Sequence, residues 1–294
     1  MKEEEKQNLG RREVPLASAE PVPVSVVIPV FNRAALVRRA IDSVLAQDTT
    51  GYELIVVDDG STDETPQVLA AYGGAIRVVR QENQGVSAAR NRGVAASGGA
   101  LIAFLDSDDR WLPGKLSRQA AYMVAHPEVQ ICQGEEIWIR NGVRVNPGQR
   151  HRKPSGWIFE PSLALCLVSP SAVMMTRGLW DEMGGFDTSL PACEDYDLWL
   201  RVSLRYPVHL LPGAFIEKYG GHPDQLSRMP ALDRYRIQAI CKVLDGAVLT
   251  AGQRAAALAM LERKCAVYAA GCRKRARFDE ADRIAALPGR YGAA

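Results

Sequence analysis

The sequence predicts an α/β protein: a doubly wound, mostly parallel sheet, a second half of mixed structure and a helical C-terminal region. Three observations point there. Four short apolar runs alternate with helical periodicity over about 80 residues, the pattern of a parallel sheet covered on both faces. Each run ends in polar or charged residues: Asn32 and Arg33, Asp58 and Asp59, residues 81–84, then Asp106 to Asp109. Past Pro113 the alternation stops, and past about Pro230 the apolar spacing is helical.

Taken in order, residues 24–30 are continuously apolar and read as a buried strand introduced by Pro21 and Pro23. Residues 33–47 follow, with Leu36, Val37, Ala40, Ile41, Val44 and Leu45 on one helical face. A second strand, 54–57, is stopped by Asp58-Asp59-Gly60-Ser61, where Gly60 permits a tight turn. Thr62 or Asp63 is placed to cap a helix over 65–72. A third strand spans 76–79, and a third helix over 86–96 is closed by Gly98 and Gly99. The fourth strand, 101–105, delivers three carboxylates in four positions at its end: Asp106, Asp108 and Asp109. A helix over 115–125 precedes His126-Pro127, and 137–145 reads as a hairpin turning at Asn141-Gly142. Residues 171–176 suit another strand and 195–206 another helix. Ile237, Ile240, Val243 and Leu244, then the stretches 255–270 and 278–281, mark the C-terminal helices.

At 294 residues, 24% charged and 47% hydrophobic, the chain suits one large α/β domain with an appendage. The charged stretch 1–22 is expected to be a disordered tail. The main domain is expected over 23–228, divided into a ligand-binding half (23–112) and a mixed half (113–228), with helices over 229–294. A net charge of +2 gives no warrant for nucleic-acid binding. No apolar run approaches the roughly 20 residues of a membrane span, and the start lacks a signal-peptide core. The reading is therefore cytoplasmic. Arg273, Lys274, Arg275 and Arg277 offer either a peripheral membrane contact or a solvated face. The six cysteines show no CxxC pair or zinc spacing, so they are expected to be reduced thiols.

Ligands of open parallel sheets bind outside the carboxyl ends of the strands, where these polar residues converge. Carboxylates crowded at such an end repel one another unless a cation sits between them. Oxygen-only ligands suit Mg²⁺ or Mn²⁺, usually in company with phosphate; alternatively, Asp108 and Asp109 cap the next helix. A carboxylate at Asp58 or Asp59 can accept a uracil imide or ribose hydrogen, or merely form a capping turn. Glu194 and Asp195 fall at a helix start, where the dipole favours their ionised form, or they are ordinary first-turn acids.

Five blocks occur in order: VVIPVFNR (26–33), VVDDGSTD (56–63), NQGVSAARNRG (83–93), FLDSDDRW (104–111) and CEDYDLWLR (193–201). Together they resemble the family-2 glycosyltransferases with a GT-A fold, over about residues 24–222. The resemblance implies metal-dependent, inverting transfer of a sugar from a nucleoside-diphosphate sugar, uridine favoured. The acceptor would be a saccharide or lipid-linked hydroxyl, in cell-envelope polysaccharide or glycoconjugate synthesis.

Residue by residue, the resemblance implies that Pro29, Phe31, Asn32 and Arg33 contact the nucleotide and that Asp59 reads the base. It sets Arg90 beside the donor phosphates, a surface salt bridge being the alternative. Asp106-Ser107-Asp108 matches the DxD motif, with Asp108 as first ligand of Mn²⁺ or Mg²⁺, Asp106 supporting the metal or the ribose, and Asp109 orienting the turn or capping the next helix. Asp195 matches the general base, with Glu194 beside it, and Gly184-Gly185-Phe186-Asp187 the approach to the acceptor. His222, in GGHPDQLS (220–227), matches a late loop that folds over the donor to meet metal or diphosphate; a structural or exposed histidine is the alternative. Acceptor choice falls to 133–190, where Trp138, Trp157 and Trp180 are candidates to stack on sugars or to belong to the core. A sugar-phosphate nucleotidyltransferase would carry a glycine-rich basic loop where this chain reads Pro29-Val30-Phe31-Asn32-Arg33. A non-catalytic glycan-binding module would lack Asp108 or Asp195, and both are present.

Overall fold

β1 (Val24–Val30) is buried at every position, lying between two strands and beneath helices on both faces. It pairs in parallel with β2 (Tyr52–Asp58), Ile28 opposite Val56, and with β4 (Leu101–Phe104), Val26 opposite Ala103. β3 (Arg77–Arg80) joins β2 at the edge, where Val79 alone is half-buried, so the third strand is an edge and not a buried one. The structure is a computed structural model and describes residues 23–146, 148–221, 225–226 and 229–292. The tail expected over 1–22, and His222, lie outside the described residues.

The remaining strands are β5 (Arg110–Trp111), β6 (Ile131–Arg140), β7 (Val143–Val145), β8 (Val173–Thr176) and β9 (His209–Gly220). Among the described residues they complete one sheet in the order β3-β2-β1-β4-β8-β6-β9-β5, with β7 pairing β6 off that path. β8 joins β4 antiparallel and begins the mixed half. The hairpin turns at Asn141-Gly142 as expected, but its first strand begins earlier, at Ile131. The strand expected over 171–176 starts at Val173, because Pro170–Ala172 form a short 3₁₀ turn.

Side-chain alternation sorts β1 into two cores. Val26, Ile28 and Val30 pack against Val37 and Ile41 of α1 (Ala34–Leu45), Val68 of α2 (Thr65–Ala70) and Leu116 of α4 (Lys115–Ala125). On the other face Val27, Ile55, Ile102 and Phe104 meet Ala89 of α3 (Val86–Ala95), Leu179 of α6 (Arg177–Met183) and Trp199 of α7 (Glu194–Arg205). α3 lies so close to β1 that a Cβ on Gly93 would fall 2.3 Å from Val27 Cγ1.

A third core joins α5 (Phe159–Ala164) and α7 to α8 (Asp233–Gly246), α9 (Ala251–Arg273) and α10 (Phe278–Ala286). Tyr196 and Leu200 of α7 face it, while Leu198, Trp199 and Val202 face the sheet. α7 is thus held from both sides. Among the described residues no helix is long and apolar enough to cross a membrane.

Candidate functional site

A cleft of about 800 Å³ opens outside the carboxyl ends of β1, β2 and β4, where a doubly wound sheet binds its ligands. Pro29, Phe31, Asn32 and Arg33 form one wall, with Phe31 43% exposed and its ring available as a flat surface. Asn32 adopts a left-handed φ of 50°, which side-chain hydrogen bonding makes tolerable. Its N–H donates to Ser61 Oγ at 2.9 Å, and its Oδ1 accepts the Thr62 N–H at 2.8 Å. The Asn32 side chain therefore clamps two strand-end turns together. Neither Thr62 nor Asp63 caps α2, whose N-cap is Glu64 with no side-chain cap, although Asp63 accepts the Thr65 N–H at 2.9 Å from just outside the helix.

Asp59 is buried at the end of β2 and fixes the loop before α3. It accepts Gln81 Nε2 at 2.7 Å and the N–H groups of Gln84 and Gly85 at 3.0 and 2.8 Å. Gly60 next to it has φ +80°, and a Cβ there would sit 2.8 Å from Asn83 N. The turn thus requires glycine.

Arg90 on α3 is 3% exposed, which excludes a surface salt bridge. Its Nη2 donates to Asp106 at 2.6 Å and its Nη1 to Glu194 at 2.7 Å, joining the end of β4 to the first turn of α7. Burial opposes its charge, yet Asp106 and then Glu194 hold its guanidinium above its ordinary value. Glu194 is raised by burial and by Asp195, against the pull of Arg90.

Ser107 and Asp108 also line the cleft. The Asp108 carbonyl accepts Arg39 Nη2, and the Arg39 guanidinium lies 3.5 Å from the Tyr219 ring centroid. Helix capping by Asp108 or Asp109 is excluded, because α4 starts after Gly114 with no side-chain cap. Instead Asp109 orients the turn: it accepts the Ser171 hydroxyl at 2.7 Å and the Tyr219 N–H at 3.0 Å. Burial, then the charge of Asp108, push its carboxyl well above the ordinary range.

Asp195 is half-buried in the first turn of α7, and its Oδ2 accepts the Cys166 thiol at 3.5 Å. That thiol stays protonated, since burial and Asp195 raise it well above its usual value. Cys193, just before the helix, holds φ +61°, a conformation that ordinarily favours glycine. Beyond Asp195 a second cavity of about 500 Å³ shares Cys166, Lys218 and Tyr219 with the first, and takes Glu136, Trp138, Arg140, His151 and Lys153 as its own.

Of the three tryptophans that were candidates to stack on sugars, Trp138 alone lines either of these two cavities. Trp180 is core, 5.5 Å from Phe104 between ring centroids, and Trp157 is 66% exposed away from both cavities. Sequence reasoning missed Lys218, Glu136, Lys153 and Cys166. None carries a motif, and Lys218 sits on a strand that the sequence did not announce. Among the described residues no three of His, Cys, Asp and Glu are arranged to hold a metal by themselves.

The family model described as Glycosyl transferase family 2 matches residues 25–181. An uncharacterized glycosyltransferase of Rickettsia prowazekii is 34% identical over 183 residues, covering 60% of this chain and 58% of that protein. A putative teichuronic acid biosynthesis glycosyltransferase, TuaG of Bacillus subtilis, is 31% identical over 158 residues, covering 52% of this chain and 62% of TuaG. The chain spans 27% to 61% of the length of five rickettsial glycosyltransferases that it matches. Among solved structures, S. aureus TarS in complex with UDP-GlcNAc superposes with a TM-score of 0.68 at 20% identity, over 82% of this chain and 72% of that one. Mannosyltransferase PcManGT from Pyrobaculum calidifontis, in complex with GDP-Man and Mn²⁺, gives 0.61 at 18% identity, over 92% of this chain and 76% of that one. At those identities the likeness is one of fold, the GT-A arrangement.

Proposed function

The chain belongs to glycosyl transferase family 2, and on that premise we propose that it moves a sugar from a nucleoside-diphosphate sugar to an acceptor hydroxyl, with inversion and with a divalent cation. One observation supports this most: Asp59, the pair Asp106 and Asp108, and Asp195 come from three separate segments to one cleft, and a second cavity opens past Asp195.

The donor set suits a cation. Among the described lining residues, Asp59, Asp106, Asp108 and Asp195 supply carboxylate oxygens to the cleft. Mg²⁺ or Mn²⁺ typically takes one or two carboxylates and completes its shell with substrate phosphate and water. Asp108, with Asp106, would hold it without any three-residue cage. Bound there, it would neutralise charge on the departing diphosphate.

The chain's own groups do the rest. Phe31 gives the base a flat face, and Asp59, with three of roughly four lone pairs engaged, keeps one for a base hydrogen. Ser107, Pro29 and Arg33 border the nucleotide. Arg90 fixes Asp106, and the same guanidinium engages Glu194, which leaves Asp195 the carboxylate of this turn that is not held by an arginine. Asp195 is the base. It accepts the acceptor hydroxyl proton as that oxygen attacks the anomeric carbon from the face opposite the diphosphate. A free Asp titrates near ~3.9, far below an alcohol, so the proton moves late in the step. Positioning therefore supplies most of the rate.

A uridine donor is favoured by the UDP-GlcNAc complex of TarS, and an envelope saccharide or lipid-linked acceptor by the name of TuaG. A cytoplasmic, membrane-peripheral setting suits Arg273, Lys274, Arg275 and Arg277, exposed beside Phe278. His222, outside the described residues, remains assigned to metal or diphosphate through the resemblance of its loop alone.

Asp195→Asn tests the base: turnover should fall by about 10²–10⁴-fold while donor affinity, by calorimetry, stays within a factor of two. A wild-type rate in that variant overturns the assignment. Chelation should abolish turnover of a panel of sugar nucleotides, and added Mn²⁺ should restore it.

A further inference from the structure

We propose that the second cavity selects an acceptor sugar bearing an anionic group, a carboxylate or a phosphate monoester. The inference rests on the reading of Asp195 as the wall shared by donor and acceptor.

β6 and β9 run parallel, with Trp138 paired to Lys218 and Arg140 to Gly220. The two-residue period of a strand puts Glu136, Trp138 and Arg140 on one face, with Lys218 beside the indole. His151 stands edge-on to Trp138, with ring centroids 5.0 Å apart. The cavity thus has an aromatic platform of the kind that receives the C–H face of a pyranose.

Its charges do not cancel. Glu136 is matched locally: Lys153 Nζ lies 2.6 Å from it, both side chains being 6% exposed, and Trp138 Nε1 donates to it at 2.9 Å. Burial would raise that carboxyl, but Lys153 and then Lys218 hold it down to about 2, so it stays ionised and its charge is matched by the adjacent Lys153. Asp195 is committed to the acceptor hydroxyl. Two cations remain for a ligand. Among the described residues the Lys218 ammonium makes one hydrogen bond, to Ser169 Oγ at 3.3 Å, and it stays charged: burial opposes the charge, but Glu136, Asp109, Asp106 and Asp195 raise it. Arg140 makes no hydrogen bond or ion pair with another described residue, and its guanidinium lies 5.4 Å from the Trp138 centroid.

A neutral sugar on this platform leaves Arg140 and Lys218 without a direct ion-pair partner among the described residues. A carboxylate or phosphate projecting from the ring meets the Arg140 fork on one side and the Lys218 ammonium on the other. The hydroxyl to be glycosylated then turns toward Asp195. The class of reaction that supplies such an acceptor is one that installs an acid or a phosphate on a sugar.

The test is calorimetric titration of the full chain, and of Arg140→Gln, with methyl glucoside, methyl glucuronide and glucose 6-phosphate at one ionic strength. Arg140 is exposed near a strand end, so the variant keeps the fold, as thermal melting will verify. The wild type should bind one or both anionic probes about tenfold more tightly than the neutral glucoside, on the scale of a charge-assisted contact. Arg140→Gln should erase most of that difference, and the ranking of glucuronide against phosphate identifies the acid. Equal affinities, no saturable binding of either anionic probe, or a preference that survives Arg140→Gln overturns the proposal. Neither donor nor metal is needed. A chain that shows the preference yet turns over no sugar nucleotide would keep this inference and lose the proposed transfer.

Discussion

Lys115 lies wholly within the core, its Nζ 3.8 Å from the Trp111 centroid and 3.1 Å from the Val173 carbonyl, with no ion pair to another described residue. Burial pulls its pKa down to about 7. The unfolded chain therefore binds a proton that the folded chain lacks between about pH 7 and pH 10.5, and stability rises with pH across that window. Lys115→Met should raise the melting temperature at pH 6, by a ΔΔG of roughly 3–5 kcal/mol for a shift of that size, and flatten the rise toward pH 10. Parallel thermal melts of the two proteins read both effects. At this scale the motif residues were legible in the sequence, for Asp59, Asp106, Asp108 and Asp195 all line the cleft. Their partners were not. Arg90 holds Glu194 across 104 positions, and only the assembled sheet brings α3 and α7 together. Lys115 only opened an expected helix, since its burial follows from α4 packing on β6 and β9, contacts without local sequence signal.

The three helices of the first half were foreseen, α1 from its apolar spacing, α2 from a capping signal and α3 from its closing glycines, and α4 matched residue for residue. β9 was missed because Pro212 and Gly213 interrupt its alternation, while its partner slips register on either side of Glu135. A strand with a broken period leaves no two-residue signal to read. The edge position of β3 was equally hidden, since apolar residues mark a strand without saying which side lacks a neighbour. Packing between elements decides one substitution whose sign local propensity gets wrong. Alanine is about 1 kcal/mol better than glycine inside a helix, yet a Cβ on Gly93 would fall 2.3 Å from Val27 Cγ1 and 3.1 Å from Val57 Cγ2. Both contacts are with fully buried residues of the sheet, where overpacking costs about 1–3 kcal/mol. Gly93→Ala should therefore lower the urea midpoint at an unchanged slope, whereas a rise would mean that α3 can slide away from β1.

The molecule is tied together through α7, which separates the second core from the third. Removing 229–294 would strip Phe159, Leu163, Tyr196 and Leu200 of their cover. Each such side chain contributes about 1.5–3 kcal/mol when buried, against a total stability of roughly 5–15 kcal/mol for a domain. A chain ending at residue 228 should bind a hydrophobic dye, lose cooperative melting and lose turnover; sharp two-state melting would show that the helices are dispensable. The helices of this region were visible in the sequence, but that they share a core with the helix bearing Asp195 was not. The partition of the two cavities has a further consequence for how such a protein changes over time. Lys218, Tyr219, Cys166 and Asp195 wall both cavities, so an altered side chain there disturbs both ligands at once. Glu136, Trp138, Arg140, His151 and Lys153 touch only the second. On the proposed assignment of the two cavities, the hairpin and the residues after it form a cassette in which drift can rewrite acceptor choice while the donor chemistry is inherited intact.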